Sequence, residues 1–241
     1  MLEIKDLKKS YKGKAAVDGV TLTVERGQLL GVIGRNGAGK STLMSMIATL
    51  VKPDSGSIKW DGTDTIGHPG EIREKLGYVP QEIALYEKLS GLDNMKFWGK
   101  ESGISGARLK ERIREVCEDI NFDEAMLKKR VADYSGGMKR RLNIGVALLH
   151  DPELIILDEP TAGIDIDSGR MVESAIAGLR DRGKAIIYVG HYLEEIKELA
   201  THICILNEGK ISALGSKEEL LENETIEELY KRCTKSPSVT V

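Results

Sequence analysis

The sequence predicts an α/β protein: a largely parallel sheet flanked by helices, an antiparallel β part at the N-terminal end, and a block of helices inserted midway. Three observations carry this. Apolar runs of strand length at 29–33, 154–157 and 185–189 are separated by segments long enough for helices, the pattern of a parallel sheet. Residues 1–33 alternate apolar and polar positions, the pattern of half-buried antiparallel strands. Across residues 86–150 strand signals stop and helical spacing with charged faces takes over.

The elements follow in order. Leu2, Ile4 and Leu7, then Val20, Leu22 and Val24, mark short antiparallel strands broken at Lys12-Gly13-Lys14 and Arg26-Gly27. Residues 29–33 form a buried strand, and 41–50 suit a helix. Pro53-Asp54-Ser55-Gly56 turns into a strand near 56–61, and 76–80 gives another short strand. In the inserted block Leu109, Ile113, Val116 and Ile120 fall on one helical face. The apolar strand 154–157 precedes a helix at 168–182, a strand at 185–189, a helix at 192–201 and a hairpin of 203–206 with 209–214. The expected partition is a core of 1–85 and 150–215, a helical part at 86–149, and a helical tail at 216–241 ending in the loose polar stretch Ser236-Pro237-Ser238.

The 241 residues are 41% hydrophobic and 30% charged, ordinary for a globular protein. A net charge of -3 gives no bulk attraction to nucleic acid or to an anionic membrane, so no nucleic-acid partner is expected. The small basic clusters Lys128-Lys129-Arg130 and Lys139-Arg140-Arg141 read as solvated helix surface. Cys117, Cys204 and Cys233 lie far apart and offer neither metal spacing nor a disulfide framework. No apolar run approaches the roughly 18 residues that cross a bilayer, and the N-terminus lacks the apolar stretch of a secretory signal. The expectation is a cytoplasmic chain whose membrane role, if it has one, comes through a partner.

Chemistry concentrates first at residues 34–42, GRNGAGKST, which fit the phosphate-binding pattern G-x-x-x-x-G-K-[ST] between a strand and a helix. Gly34, Gly37 and Gly39 let the backbone turn tightly and gather N–H groups around one anion. Arg35, Asn36 and Ala38 complete the loop, and the following helix presents its positive end to the same anion. Lys40 reaches the outer phosphates, the Ser41 hydroxyl can ligate Mg²⁺, and Thr42 closes the motif.

Asp158 and Glu159 follow the apolar strand 154–157 directly, and a parallel strand delivers its C-terminal end to the ligand crevice. An Asp there can hold Mg²⁺ through water, and the next Glu, facing the other way, can polarise an attacking water. Alone, such a pair reads equally as an acidic turn. Ser135-Gly136-Gly137 at the start of a helical stretch, 139–149, is a second anion-binding arrangement. One nucleotide does not need two cradles, but two copies facing each other do.

Together these motifs make the chain resemble the nucleotide-binding subunit of an ATP-binding cassette transporter over about residues 1–215, with the motifs in that family's order. The resemblance implies a P-loop NTPase (RecA-like) core with an N-terminal antiparallel β subdomain and an inserted α-helical subdomain. It implies that Tyr11 stacks on adenine and that Gln81 touches Mg²⁺ and the lytic water. Ser135, Gly136 and Gly137 would cap the γ-phosphate held by an opposite subunit. Asp158 would bind metal, Glu159 would be the general base, Ala162-Gly163-Ile164-Asp165 would cross the dimer interface, and His191 would contact the γ-phosphate. Read singly, Tyr11 is packing, Gln81 is loop surface and His191 is a structural histidine; their shared order is what counts.

The pattern departs at Tyr134 and Met138, where Leu and Gln are usual, and at Ile164 and Ile166, often Leu and Pro. The Tyr134 variant, with the stretch 80–86, resembles cassettes of bacterial exporters for drugs, polysaccharides or lipid-linked molecules. The resemblance thus implies an ATPase using ATP and Mg²⁺, a second copy of itself or of a similar subunit, and an integral-membrane permease on whose cytoplasmic face it sits. Two rivals stay open: a soluble cassette ATPase unconnected to transport, and a binding-only regulatory module. Against the first, no long heptad run separates Lys40 from Ser135 and the chain carries a single cassette; against the second, Lys40, Asp158, Glu159 and His191 are all intact.

Overall fold

The structure, a computed structural model, describes residues 1–234, so the polar end at Ser236-Pro237-Ser238 lies outside the described residues. Two long strands open the chain, β1 (Leu2–Tyr11) and β2 (Lys14–Val24). They pair antiparallel around Lys12-Gly13, both at positive φ (50° and 81°), the backbone that matches the twist of a tight hairpin. At 10 and 11 residues they outrun the short strands expected, because bulges near Leu7 and Ser10 interrupt the alternation without ending the ladder. With β4 (Ser55–Trp60) and β5 (Thr63–Asp64) they form a four-stranded antiparallel sheet, order β2-β1-β4-β5.

The second sheet has six strands: β3 (Leu29–Gly34), β6 (Leu76–Val79), β7 (Leu154–Asp158), β8 (Ala185–Val189), β9 (His202–Asn207) and β10 (Lys210–Ser216), in the order β10-β9-β3-β8-β7-β6. All pairs are parallel except the β9–β10 hairpin. β3, β7 and β8 are buried on both faces, which is why they read as unbroken apolar runs. Their successive side chains enter two separate cores. Leu29, Ile33, Ile155, Leu157 and Ile186 join the helices on one face. Leu30, Val32, Leu154, Ile156 and Ile187 join the antiparallel sheet and helix α1 (Lys40–Ile47) on the other.

A short helix α2 (Pro69–Arg73), too brief to show a period, precedes β6. The inserted block holds α3 (Gly91–Glu101), α4 (Gly106–Asp119), two 3₁₀ turns, and α5 (Gly136–Leu148). Ser90 caps α3, its Oγ accepting from the Asp93 amide at 3.1 Å. Leu109, Ile113, Val116 and Ile120 are all buried, as their spacing predicts. Arg112 on the same helix is buried too, and donates to the Leu148 and Leu149 carbonyls at 2.7 and 3.1 Å, satisfying the buried C-terminal end of α5. α6 (Ile166–Asp181) starts earlier than expected because the Asp165 carboxylate caps it, accepting from the Ser168 amide at 2.9 Å. α7 (Leu193–Leu199), α8 (Lys217–Leu220) and α9 (Ile226–Thr234) complete the described chain.

Candidate functional site

The loop joining β3 to α1 carries the phosphate-binding pattern, and its three glycines answer different needs. Gly37 has φ +80° with open space around a would-be Cβ, so the backbone conformation alone demands glycine. Gly39, the N-cap of α1, has φ +101°, and a Cβ there would sit 2.1 Å from the Ala16 carbonyl oxygen of β2. Gly34 is ordinary strand backbone; a Cβ there would meet the Leu206 carbonyl oxygen of β9 at 2.3 Å. Its requirement is therefore close packing rather than the turn expected. The loop is pinned by Ala38 N–H to Arg35 O at 3.0 Å and by Gly209 N–H to Ala38 O at 3.0 Å.

Lys40 is 7% exposed, and its Nζ donates to Gly34 O at 2.7 Å and Arg35 O at 3.3 Å. Burial pulls its ammonium below the usual lysine value, while the charges of Glu159 and Asp158 oppose that. Asn36, Gly37, Gly39, Ser41 and Thr42 line a cleft of ≈ 600 Å³, large enough for a ligand of nucleotide size. Tyr11, 47% exposed at the end of β1, stands on the same cleft with Lys14, Ala15 and Ala16 of β2. The β2 residues escaped the sequence reading, since nothing local marks them; they arrive through the hairpin.

The other side of the cleft is built from the C-terminal ends of three adjacent strands. Register pairs Val79 of β6 with Leu157 of β7, and Asp158 of β7 with Val189 of β8. The residues just beyond these ends, Gln81, Glu159 and His191, therefore converge. Gln81 Nε2 donates to Glu159 Oε2 at 2.8 Å, and His191 Nε2 lies 2.5 Å from Glu159 Oε1. Glu159 has φ +49°, rare for a residue with a Cβ, and is held there by its amide donating to Val189 O at 2.9 Å. Pro160 disfavours the right-handed helical alternative at the preceding position. Asp158 is 7% exposed and does not line the cleft. Burial raises its carboxyl above the ordinary range, and the neighbouring Glu159 charge adds to that.

Ser135, Gly136 and Gly137 are not on this cleft. Ser135 Oγ accepts from the Met138 amide at 3.2 Å, capping α5, which therefore begins at Gly136 rather than at 139. Ser135 and Gly136 are exposed. Gly137 packs so closely on α6 that a Cβ would fall 2.2 Å from Ser168 Oγ. Tyr134 is buried; its hydroxyl donates to Met126 O at 2.8 Å and its ring packs 5.6 Å from Phe122, so the tyrosine anchors this loop to the helical block. The solvated-surface reading of Lys139-Arg140-Arg141 fails for two of the three. Lys139 does pair with Glu87 at 2.6 Å near the surface, but Arg140 is 5% exposed, donating inward to Gln81 O at 2.7 Å. Arg141 hydrogen-bonds Asn121 O and lies 5.7 Å over the Phe122 ring.

Among the described residues no group of three or more His, Cys, Asp or Glu side chains is set to hold a metal. The donors present, a Ser hydroxyl, a Gln amide and one Asp, suit Mg²⁺ instead, which keeps waters and substrate phosphates among its ligands.

Comparison with known proteins adds to this geometry. A family model described as ABC transporter matches residues 17–162. The linearmycin resistance ATP-binding protein LnrL of Bacillus subtilis is 42% identical over 220 residues, covering 91% of this chain and 70% of that protein. The daunorubicin/doxorubicin resistance ATP-binding protein DrrA of Streptomyces peucetius is 36% identical, covering 91% of this chain and 66% of its own. Among solved structures, an ATP-binding subunit of an ABC transporter superposes with a TM-score of 0.87 at 30% identity, covering 98% of this chain and 100% of that one. A dimeric cassette in a post-hydrolysis state bound to ADP and Pi gives 0.80 at 26% identity, over 90% of this chain and 98% of its own.

Proposed function

The chain belongs to the ATP-binding cassette transporter family and hydrolyses ATP, and from that premise we propose that it powers a separate membrane permease, as an exporter subunit, by closing and reopening as a pair around two nucleotides. The observation that carries the reading is the placement of Ser135, Gly136 and Gly137: Ser135 and Gly136 stand exposed at the cap of α5, and none of the three lines their own copy's cleft. Two copies arranged head to tail would set this loop of each against the cleft of the other. Each ATP would then lie between the phosphate loop of one copy and Ser135 of its mate. Ile166 at 77% exposure and Tyr192 at 60% give apolar surface around the loop and the cleft for such a contact.

In the cleft, the N–H groups of Gly37, Gly39 and the start of α1 would hold phosphate oxygens, and Lys40 would exchange its carbonyl partners for them. Tyr11 would cover the base. Glu159, steadied by Gln81 and His191, would take a proton from water as the water oxygen attacks the γ-phosphorus and ADP leaves. His191 would donate to the departing phosphoryl oxygens. When bound, Mg²⁺ supplies neutralisation of phosphate charge; Ser41, Gln81 and Asp158 are the residues that would hold it.

Among the described residues no helix is long and apolar enough to cross a membrane. Tyr86, a few residues beyond Gln81, and Phe97 of α3 are both exposed and in edge contact at 5.1 Å, and they offer an aromatic landing surface that would report motion to the catalytic glutamine. Similarity to LnrL and DrrA, two resistance proteins, favours export and a place on the cytoplasmic membrane face. The test is Glu159→Gln. The variant should bind ATP, lose hydrolysis and elute as a dimer with excess ATP. A protein that stays monomeric at every concentration would refute the paired mechanism, and one that turns over ATP normally would refute the role of Glu159.

A further inference from the structure

Arg140 sits one helical turn into α5, buried where the helical block meets the central sheet, and its guanidinium closes a ring. Nη1 donates to Gln81 O at 2.7 Å. The Gln81 side chain donates to Glu159 Oε2 at 2.8 Å. The Glu159 carbonyl accepts from the Ala162 amide at 3.2 Å, and the Ala162 carbonyl accepts from Arg140 Nη2 at 3.3 Å. Two catalytic-site loops, one after β6 and one after β7, are thereby tied to the helix that Ser135 caps. Thr161, between Glu159 and Ala162, is held as well: its Oγ1 donates to Glu195 Oε2 at 2.9 Å, and Tyr188 donates to the same oxygen at 2.6 Å.

We propose that Arg140 is a positioning residue for hydrolysis, fixing the Gln81 and Glu159 loops relative to α5 so that a shift of the helical block at the Ser135 end is carried to the general base. The inference rests on the reading of Glu159 as that base. Its chemistry is particular to a guanidinium. The planar fork reaches two carbonyls on different loops, whereas a lysine ammonium is a single strongly hydrated point and spans one of them. The placement is not what helix stability alone selects. Arg140 Nε is buried without a hydrogen-bond partner, a destabilising feature at a position where an apolar side chain would pack without one.

The test compares Arg140→Lys and Arg140→Met with the unaltered protein in steady-state ATPase assays, alongside melting curves and a Glu159→Gln control. A misplacement of about 1 Å in a catalytic group lowers turnover on the order of 100-fold. Arg140→Met should therefore lose about that much kcat, and Arg140→Lys about tenfold, with KM for ATP within about twofold because the phosphate loop is untouched. Combined with Gln81→Ala, the loss should be less than the product of the single losses, since both act through Glu159. Should Arg140→Met fail to fold, Arg140→Lys decides. Normal kcat in the lysine variant, a change confined to KM, multiplicative losses with Gln81→Ala, or a lysine variant that does not fold would overturn the proposal. If Glu159→Gln hydrolyses ATP normally, the base assignment has failed instead, and that outcome is visible separately.

Discussion

Alanine at Gly39 and at Gly37 separates two kinds of glycine requirement within one loop. Both positions have positive φ, which costs a residue with a Cβ roughly 1–2 kcal/mol. For a chain of this size that lowers the melting temperature by about 2–8 °C. The positions differ in space. At Gly37 the new methyl meets nothing within 4 Å, so strain is the whole effect. At Gly39 it would lie 2.1 Å from Ala16 O, a backbone atom of β2 that cannot swing aside. The loop must move by about 1 Å, enough to lower the rate on the order of 100-fold. Thermal melts and calorimetric ATP titrations of the two variants check this. Both should melt a few degrees early, Gly37→Ala should keep ATP affinity within several-fold, and Gly39→Ala should lose most of it. Equal losses, or a larger loss at Gly37, would refute the steric argument.

Lys40 and Asp158 give pH-linked expectations. Burial lowers the Lys40 value from 10.5, so just below that pH the folded protein has released protons that an unfolded chain would keep. ATP phosphates restore the charged form; binding at alkaline pH should take up protons, seen as buffer-dependent heats, and Lys40→Met should abolish the uptake. For Asp158, whose value is raised above 3.8, the ionised form is the disfavoured one in the fold, so its penalty is absent in acid and fully present at neutral pH. Asp158→Asn should accordingly melt higher at pH 7, lose that advantage toward pH 3.8, and hydrolyse ATP poorly; a lower melting point at pH 7 contradicts the reasoning. Tyr134→Phe removes one buried hydrogen bond, to Met126 O, worth about 1 kcal/mol, and should lower the melting temperature by about 2–4 °C with ATP turnover unchanged within about twofold.

Much of the architecture was legible because the central strands are buried on both faces and so contain nothing but apolar residues, as at 154–157. The phosphate loop was legible for the same local reason, a strand, three glycines and a lysine in sequence. What escaped depends on contacts distant along the chain. Gly34 looked like a turn glycine, and only the neighbouring β9 shows that it is a packing glycine. Arg140 looked like solvent-facing charge because nothing in a run of three basic residues reveals that the Gln81 loop covers the middle one. Arg112, in a charged helix, likewise hid its attachment to the end of α5. The lengths of β1 and β2 were obscured by bulges, which break the period without breaking the pairing.

Neighbouring residues in β3, β7 and β8 belong to different cores, one shared with the helices and one with the antiparallel sheet. The six-stranded sheet is therefore a party wall: Ile155 and Ile156 are adjacent along the chain, yet each answers to its own set of neighbours. Side-chain changes distributed among the helices on one side need not be matched across the wall, because distant, unshared contacts combine nearly additively. Substitutions on the helical side therefore leave α1, packed against the opposite face, on an unaltered footing.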